Sequence, residues 1–299
     1  MRLDDYRTSD NVGDQRGQSF GGGGIGGLGG GMLPMVLGLV GSRFGIGGVV
    51  VVLLGAWMLG LFGGGGGQRA VSPAQQQQTA GKNAAEICSV DAASRFSCQV
   101  LASTEDSWTK LFQQSGARYQ PTTLVFYSGR GQSGCGAAQS AMGPFYCPTD
   151  QSVYLDTDFY RELSQKFGAA GDFAQAYVIA HEVGHHIQGL QGTLQKSHDF
   201  QQSASQKEGN AMQVKVELQA DCYAGVWAAQ NRARLEPGDI EEGLRAAHQI
   251  GDDTLQRAGQ GKVVPESFTH GSAEQRMAWL RRGLESGNPA ACDTFSGAV

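Results

Sequence analysis

The stretch Asp172-Phe-Ala-Gln-Ala-Tyr-Val-Ile-Ala-His181-Glu182-Val183-Gly184-His185-His186-Ile-Gln-Gly-Leu190 decides how this sequence folds. Twelve of its nineteen residues are apolar or small and none is proline, which predicts a helix from Phe173 to about Gln188, ended by Gly189. Asp172 at the N-cap and Gln175 three residues later form a capping-box pattern. Four residues of helix turn through about 400°, so His181 and His185 project from one face, one turn apart. Two neutral imidazoles so placed can share one metal ion. Glu182 sits about 100° away, where its carboxylate reaches a water beside that ion without ligating it. His186 points elsewhere and is expected to be structural or exposed.

A catalytic zinc takes three protein ligands and keeps one position open. The next long helix, expected from about Glu208 to Arg234 and stopped by Pro237-Gly238, carries Glu217-Leu218-Gln219-Ala220-Asp221. Its neighbours Ala220, Ala224, Val226 and Trp227 are small or apolar, so this face is expected to be buried. Buried carboxylates need a cation. Glu217 is therefore the candidate third ligand. Asp221, one turn on, is the candidate acceptor for a ligand histidine's free N–H, fixing its tautomer.

Outward from these helices, Thr122–Tyr127 and Ser152–Asp156 read as short strands, and a helix starts at Asp158. A further helix follows Asp239. The last is capped by Ser272 with Gln275 at its third position. The expected fold class is α+β, mostly helical with a small sheet. The cysteines are Cys88, Cys98, Cys135, Cys147, Cys222 and Cys292, an even number without CxxC spacing, which favours disulfides over a thiolate metal site. The sequence leaves the pairing open. The locally closest pairs, Cys88–Cys98 and Cys135–Cys147, would leave Cys222 with Cys292. No GxSxG motif is present, which argues against serine hydrolysis.

Half of the 46 glycines fall in the first 67 residues. Residues 1–43 therefore read as a Gly-rich disordered segment. Phe44–Phe62 is nineteen residues without a charge, roughly 28 Å as a helix, about the thickness of a bilayer's hydrocarbon. It is the expected single transmembrane helix. Residues 63–84, rich in Gly and Gln, read as a flexible linker, and residues 85–299 as the folded domain. Arg43 before the span weakly favours a cytoplasmic N-terminus and an extracytoplasmic domain, periplasmic or extracellular. A formal net charge of −5 without basic clusters gives no footprint for nucleic acid.

HExxH followed by ExxxD on a second helix resembles the gluzincin zinc peptidases. Four longer strings are similar to the putative neutral zinc metallopeptidase family of bacterial membrane-anchored proteins. They are His181 to His186, Glu217 to Trp227, Gly143-Pro-Phe-Tyr-Cys-Pro148 with Val153-Tyr-Leu-Asp156, and Thr269-His-Gly-Ser-Ala-Glu-Gln-Arg276. The likeness covers nearly the whole chain. It implies a zincin-like fold, one zinc ion, and hydrolysis of a peptide or protein substrate with Glu182 as general base. It also implies an extended substrate lying against a sheet edge, for which Thr122–Tyr127 or Val153–Asp156 is the expected strand. The segment around His270 further resembles the CAAX-prenyl-protease group, with Gly271 and Ser272 where that group carries prolines. This implies His270 as a catalytic donor to the oxyanion, while Arg276 is expected to pair with a buried acid. The competing expectation is a catalytically silent, zinc-stabilised membrane scaffold that binds envelope proteins.

Overall fold

Continuous apolar runs such as Leu124-Val-Phe-Tyr127 belong inside a sheet covered on both faces, and the computed structural model puts them there. It describes residues 1–18, 82–165, 168–169, 171–297 and 299. In chain order the elements are β1 (Val12–Asp14), α1 (Ala84–Cys88), α2 (Ala92–Gln114), β2 (Thr123–Tyr127), β3 (Arg130–Ser133) and β4 (Gly136–Gln139). There follow β5 (Phe145–Cys147), β6 (Ser152–Asp156), α3 (Asp158–Gln165), α4 (Asp172–Leu190), α5 (Thr193–Ser203) and α6 (Gln206–Gln230). The chain ends with α7 (Asp239–Gln249), α8 (Asp252–Gln260) and α9 (Ala273–Ser286). The α+β class, mostly helical with a small sheet, is as the sequence predicts.

The sheet has the order β1-β2-β6-β5, with β1, β2 and β6 parallel and β5 antiparallel to β6. The two strands expected to offer a free edge, β2 and β6, are thus interior. The edges are β1 and β5. A separate hairpin, β3-β4, is tied to β5 by Cys135–Cys147. The other disulfides are Cys88–Cys98, joining α1 to α2, and Cys222–Cys292, fastening the segment after α9 to α6.

Helices α4, α6 and α9 pack closely because small residues meet at their crossings. A Cβ on Gly184 would lie 3.0 Å from the Cα and carbonyl oxygen of Ala220, so this glycine sets the approach of α4 to α6. At the crossing of α6 with α9, a Cβ on Gly283 would strike the Cys222 carbonyl and one on Gly225 the Leu280 carbonyl. Helix α2 closes the other side of the core. Trp227 Nε1–H and Asn231 Nδ2–H donate to Ser103 and Ser107 Oγ at 3.0 and 2.9 Å, and Trp108 packs edge-on against Tyr223.

Helix α4 begins one residue earlier than expected and runs past Gly189 to Leu190. Its N-cap is Gly171, and Asp172 makes no cap hydrogen bond. The Asp172 carboxylate instead lies 2.6 Å from the amino group of Met1, which also meets Asp239 and Glu236 at 3.0 and 3.2 Å. Ser272 caps α9 with Gln275 as predicted.

Residues 1–18 are not disordered. Met1 and Leu3 are buried in the core, and β1 pairs with β2. Glu105 on α2, itself buried, accepts from Arg7 at 3.0 Å, from Asn11 at 2.8 Å and from Ser9. Composition failed here because these few polar residues find particular partners far along the chain, which offsets the cost of ordering them. The far end of the expected linker is ordered too: Asn83 caps α1. The rest of the expected disordered segment and linker, and the expected span at 44–62, lie outside the described residues; among those described, no helix is long and apolar enough to cross a membrane. Residues 1–18 are packed as part of the same folded unit as the described residues of the domain.

Asp14, at the end of β1, is buried and ion-pairs with Arg16 at 2.7 Å and Lys82 at 3.2 Å. Burial pushes its pKa up, but the Arg16 hydrogen bonds and charge outweigh that, with Lys82 adding, and hold it below the ordinary 3.8. A lowered carboxylate pKa gives stability that is complete above 3.8 and lost as pH falls through the lowered folded value. Acidification below about pH 3.8 should release β1 before the helical core. Hydrogen exchange, corrected for intrinsic rates, checks this: protection at Val12–Asp14 falls in acid while that of α4 and α6 persists. Protection of β1 that is indifferent to acid contradicts it.

Candidate active site

The close approach of α4 to α6 at Gly184 faces one turn of each helix with the other. His181 Nε2 lies 3.2 Å, and His185 Nε2 3.7 Å, from the same oxygen of Glu217. Three donor atoms, one from each residue, fall within 4.8 Å of one another. Ligands of a tetrahedral zinc at about 2.0–2.1 Å stand roughly 3.3–3.4 Å apart, so the donor set has the dimensions and chemistry for that ion. All three side chains are largely buried, with His185 the most open.

Each histidine is oriented from behind. His181 Nδ1–H donates to Asp221 Oδ1 at 2.8 Å, and His185 Nδ1–H to Gln188 Oε1 at 2.9 Å. That leaves both Nε2 atoms turned towards Glu217, an arrangement suited to a cation between them. Gln188 is held in turn by the Val216 carbonyl and by Gln219, whose own amide donates to the Cys292 carbonyl. Gln213 donates to the second oxygen of Glu217 at 3.0 Å.

Asp221 is wholly buried and receives four hydrogen bonds. Besides His181 it accepts from the Tyr177 hydroxyl at 2.6 Å and from Arg276 Nε and Nη2 at 2.8 and 2.9 Å. Burial opposes its charge, but Arg276 and then His181 outweigh it and bring Asp221 down to about 2. Burial likewise opposes the positive charge on His181, yet the charge and hydrogen bond of Asp221 carry that ring up to about 10. Glu217 is held well below the usual range by His185 and His181 in spite of its burial.

Glu182 is buried beside this cluster and lies outside the donor set. Burial raises its pKa, with the two histidines drawing it back and Glu217 adding to the rise; the backbone N–H of Tyr146 on β5 faces its carboxylate. His270, on the loop before α9, is within electrostatic reach of Glu217. Arg276 meets the acid it was expected to pair with. His186 is buried as a structural residue: its Nε2–H donates to the Gln120 carbonyl at 2.7 Å, and Tyr146 Oη–H donates to its Nδ1 at 3.2 Å.

The structure thus gathers His181, His185, Glu217, Asp221, Arg276, Glu182 and His270 in one region. The sequence reading missed Tyr177, Gln188 and Gln213. Their signal was present, for Tyr177 stands one turn before His181, Gln188 three residues after His185, and Gln213 one turn before Glu217. A second carboxylate group, Asp172, Asp239 and Glu242, has its donor atoms equally close, and there the Met1 amino group supplies the positive charge.

Residues 1–295 match the family described as putative neutral zinc metallopeptidase. The chain is 46% identical to the uncharacterized protein YpfJ of Escherichia coli K12, over all of both chains. It is 43% identical to the uncharacterized protein Mb2605 of Mycobacterium bovis, over 69% of this chain and 73% of that one. No solved structure matches it. With a family match across nearly its whole length and a relative this similar, the chain belongs to the putative neutral zinc metallopeptidase family.

Proposed function

We propose that this protein is a zinc-dependent peptidase of the gluzincin kind, with a zincin-like arrangement of its two site helices. One observation carries the reading: donor atoms of His181, His185 and Glu217 converge from two helices, with the unligated Glu182 carboxylate beside them. These three residues hold the ion; when bound, zinc supplies Lewis acidity that polarises a carbonyl and acidifies water. Glu182, with a pKa raised by burial, takes the proton of the attacking water and passes it to the departing amine. His270 donates a hydrogen bond to the oxyanion. A purely structural metal site has no use for Glu182, which is why the scaffold reading ranks second.

The substrate is a peptide or protein in extended form, laid along β5. Strand β5 is the sheet edge nearest α4, and its Tyr146 N–H faces Glu182. The apolar stretch 44–62 attaches the protein to a membrane. Residues 1–18 and the rest of the domain share an oxidising compartment, in keeping with three disulfides.

The test uses the full chain, because β1 is part of the sheet. Purified in detergent, it is incubated with unfolded proteins, with chelator, and with chelator followed by zinc. The expected result is one zinc per chain and fragments that vanish with chelator and return with metal. Substrates bound but left intact by the zinc-loaded protein would instead establish the scaffold.

A further inference from the structure

The Gly251-Asp252-Asp253 turn at the start of α8 is bound to the His270 loop by several hydrogen bonds. One oxygen of Asp252 accepts three successive backbone N–H groups, those of Thr269, His270 and Gly271, at 2.7, 2.7 and 3.2 Å. The other oxygen accepts from His270 Nδ1–H at 3.2 Å. Asp253 accepts from the Ala273 N–H at 2.7 Å, and the Asp252 N–H donates back to the Gly271 carbonyl at 2.9 Å. Gly251 allows this approach, since a Cβ there would stand 2.4 Å from the Ala273 nitrogen. Arg276 Nη1 donates to the Ile250 carbonyl at 3.3 Å, so the same junction also steadies the residue that pairs with Asp221.

We propose that Asp252 is a positioning residue that acts through His270. It fixes the loop by its backbone contacts and holds the imidazole at Nδ1, where the Thr269 hydroxyl also stands at 3.2 Å, so that Nε2, which has no hydrogen bond among the described residues, is left to meet substrate within electrostatic reach of Glu217. The division of labour between the two oxygens is the ground for this. Holding the loop occupies one oxygen; the second is spent on a ring whose orientation the loop does not need. A carboxylate accepts on both oxygens, whereas an amide accepts on one and turns a donor to the other. Asparagine at this position therefore keeps the backbone grip and presents an N–H to a ring N–H. This inference rests on the peptidase reading for its consequence but not for its geometry.

The experiment compares Asp252→Asn in the full chain with and without His270→Ala, and follows the His270 ring by nitrogen-15 NMR. In the wild-type background kcat should fall about 10-fold, as for other residues that orient an active group, with KM and zinc content little changed. In the His270→Ala background the same substitution should change kcat less than about twofold, because the group it orients is gone. The His270 Nδ1–H signal should be visible in the wild type and lost in Asp252→Asn. Equal falls in both backgrounds, or no fall in the first, would overturn the proposal. If the wild-type protein cleaves nothing, the peptidase reading fails by itself, and the ring signal still decides: its absence from the wild type removes the clamp. If Asp252→Asn unfolds, Asp252→Glu takes its place, since it keeps both oxygens and should retain the ring signal and part of the activity; loss of both counts against positioning.

Discussion

Glu182→Gln should keep its zinc and lose hydrolysis, with kcat/KM falling by about 10²–10⁴, the range for removal of a general base. The amide matches the carboxylate in shape but cannot take a proton. Glu182 is outside the donor set, so metal content should be unchanged. Folding should be unharmed as well, because burial already disfavours the charge that the substitution removes. Metal analysis, thermal unfolding and peptide cleavage on the same preparation check all three. Cleavage at the wild-type rate would show that some other group takes the proton.

Asp221→Ala should be the most destabilising single change at the site. It removes four hydrogen bonds and leaves Arg276, itself 2% exposed, as a buried charge without its partner. Breaking a buried pair from one side costs about 3–5 kcal/mol, roughly 6–20 °C in Tm for a domain of this size. The His181 ring loses its anchor in the same step, so zinc affinity should drop by about 10–100-fold. The two effects can be separated. Adding Arg276→Met to Asp221→Ala removes the stranded charge and should restore much of the stability in chelator, while zinc affinity stays low. A double variant no more stable than Asp221→Ala would mean that the ion pair is not the source of the loss.

Much of the site could be read from spacing, because helical geometry converts sequence intervals directly into shared faces. His181 and His185 share a face by that alone, whereas Glu217 needed in addition the burial expected from its small and apolar neighbours; the capped start of α9 and the strands β2 and β6 were legible from residue type. What escaped has physical reasons. Helix α2, at 23 residues, carries no clean apolar stripe, since Ser103, Thr104 and Ser107 are buried in its face. They are tolerated there because each hydroxyl donates to a carbonyl of its own helix, at 2.7, 2.6 and 2.8 Å. Asp172 looked like a cap, yet its carboxylate is engaged by a residue 171 positions away. The expected substrate edge was misplaced because strand order depends on which strands pair, and β1 and β5 are only three residues each. The contacts of Asp252 to the backbone of Thr269, His270 and Gly271 join residues 17 to 19 positions apart, and no local spacing announces them.

The pairing of β1 with β2 also fixes an order of assembly. Synthesis makes β1 (Val12–Asp14) long before β2 (Thr123–Tyr127), so the first strand waits without a partner until its neighbour has been made, and the sheet closes only then.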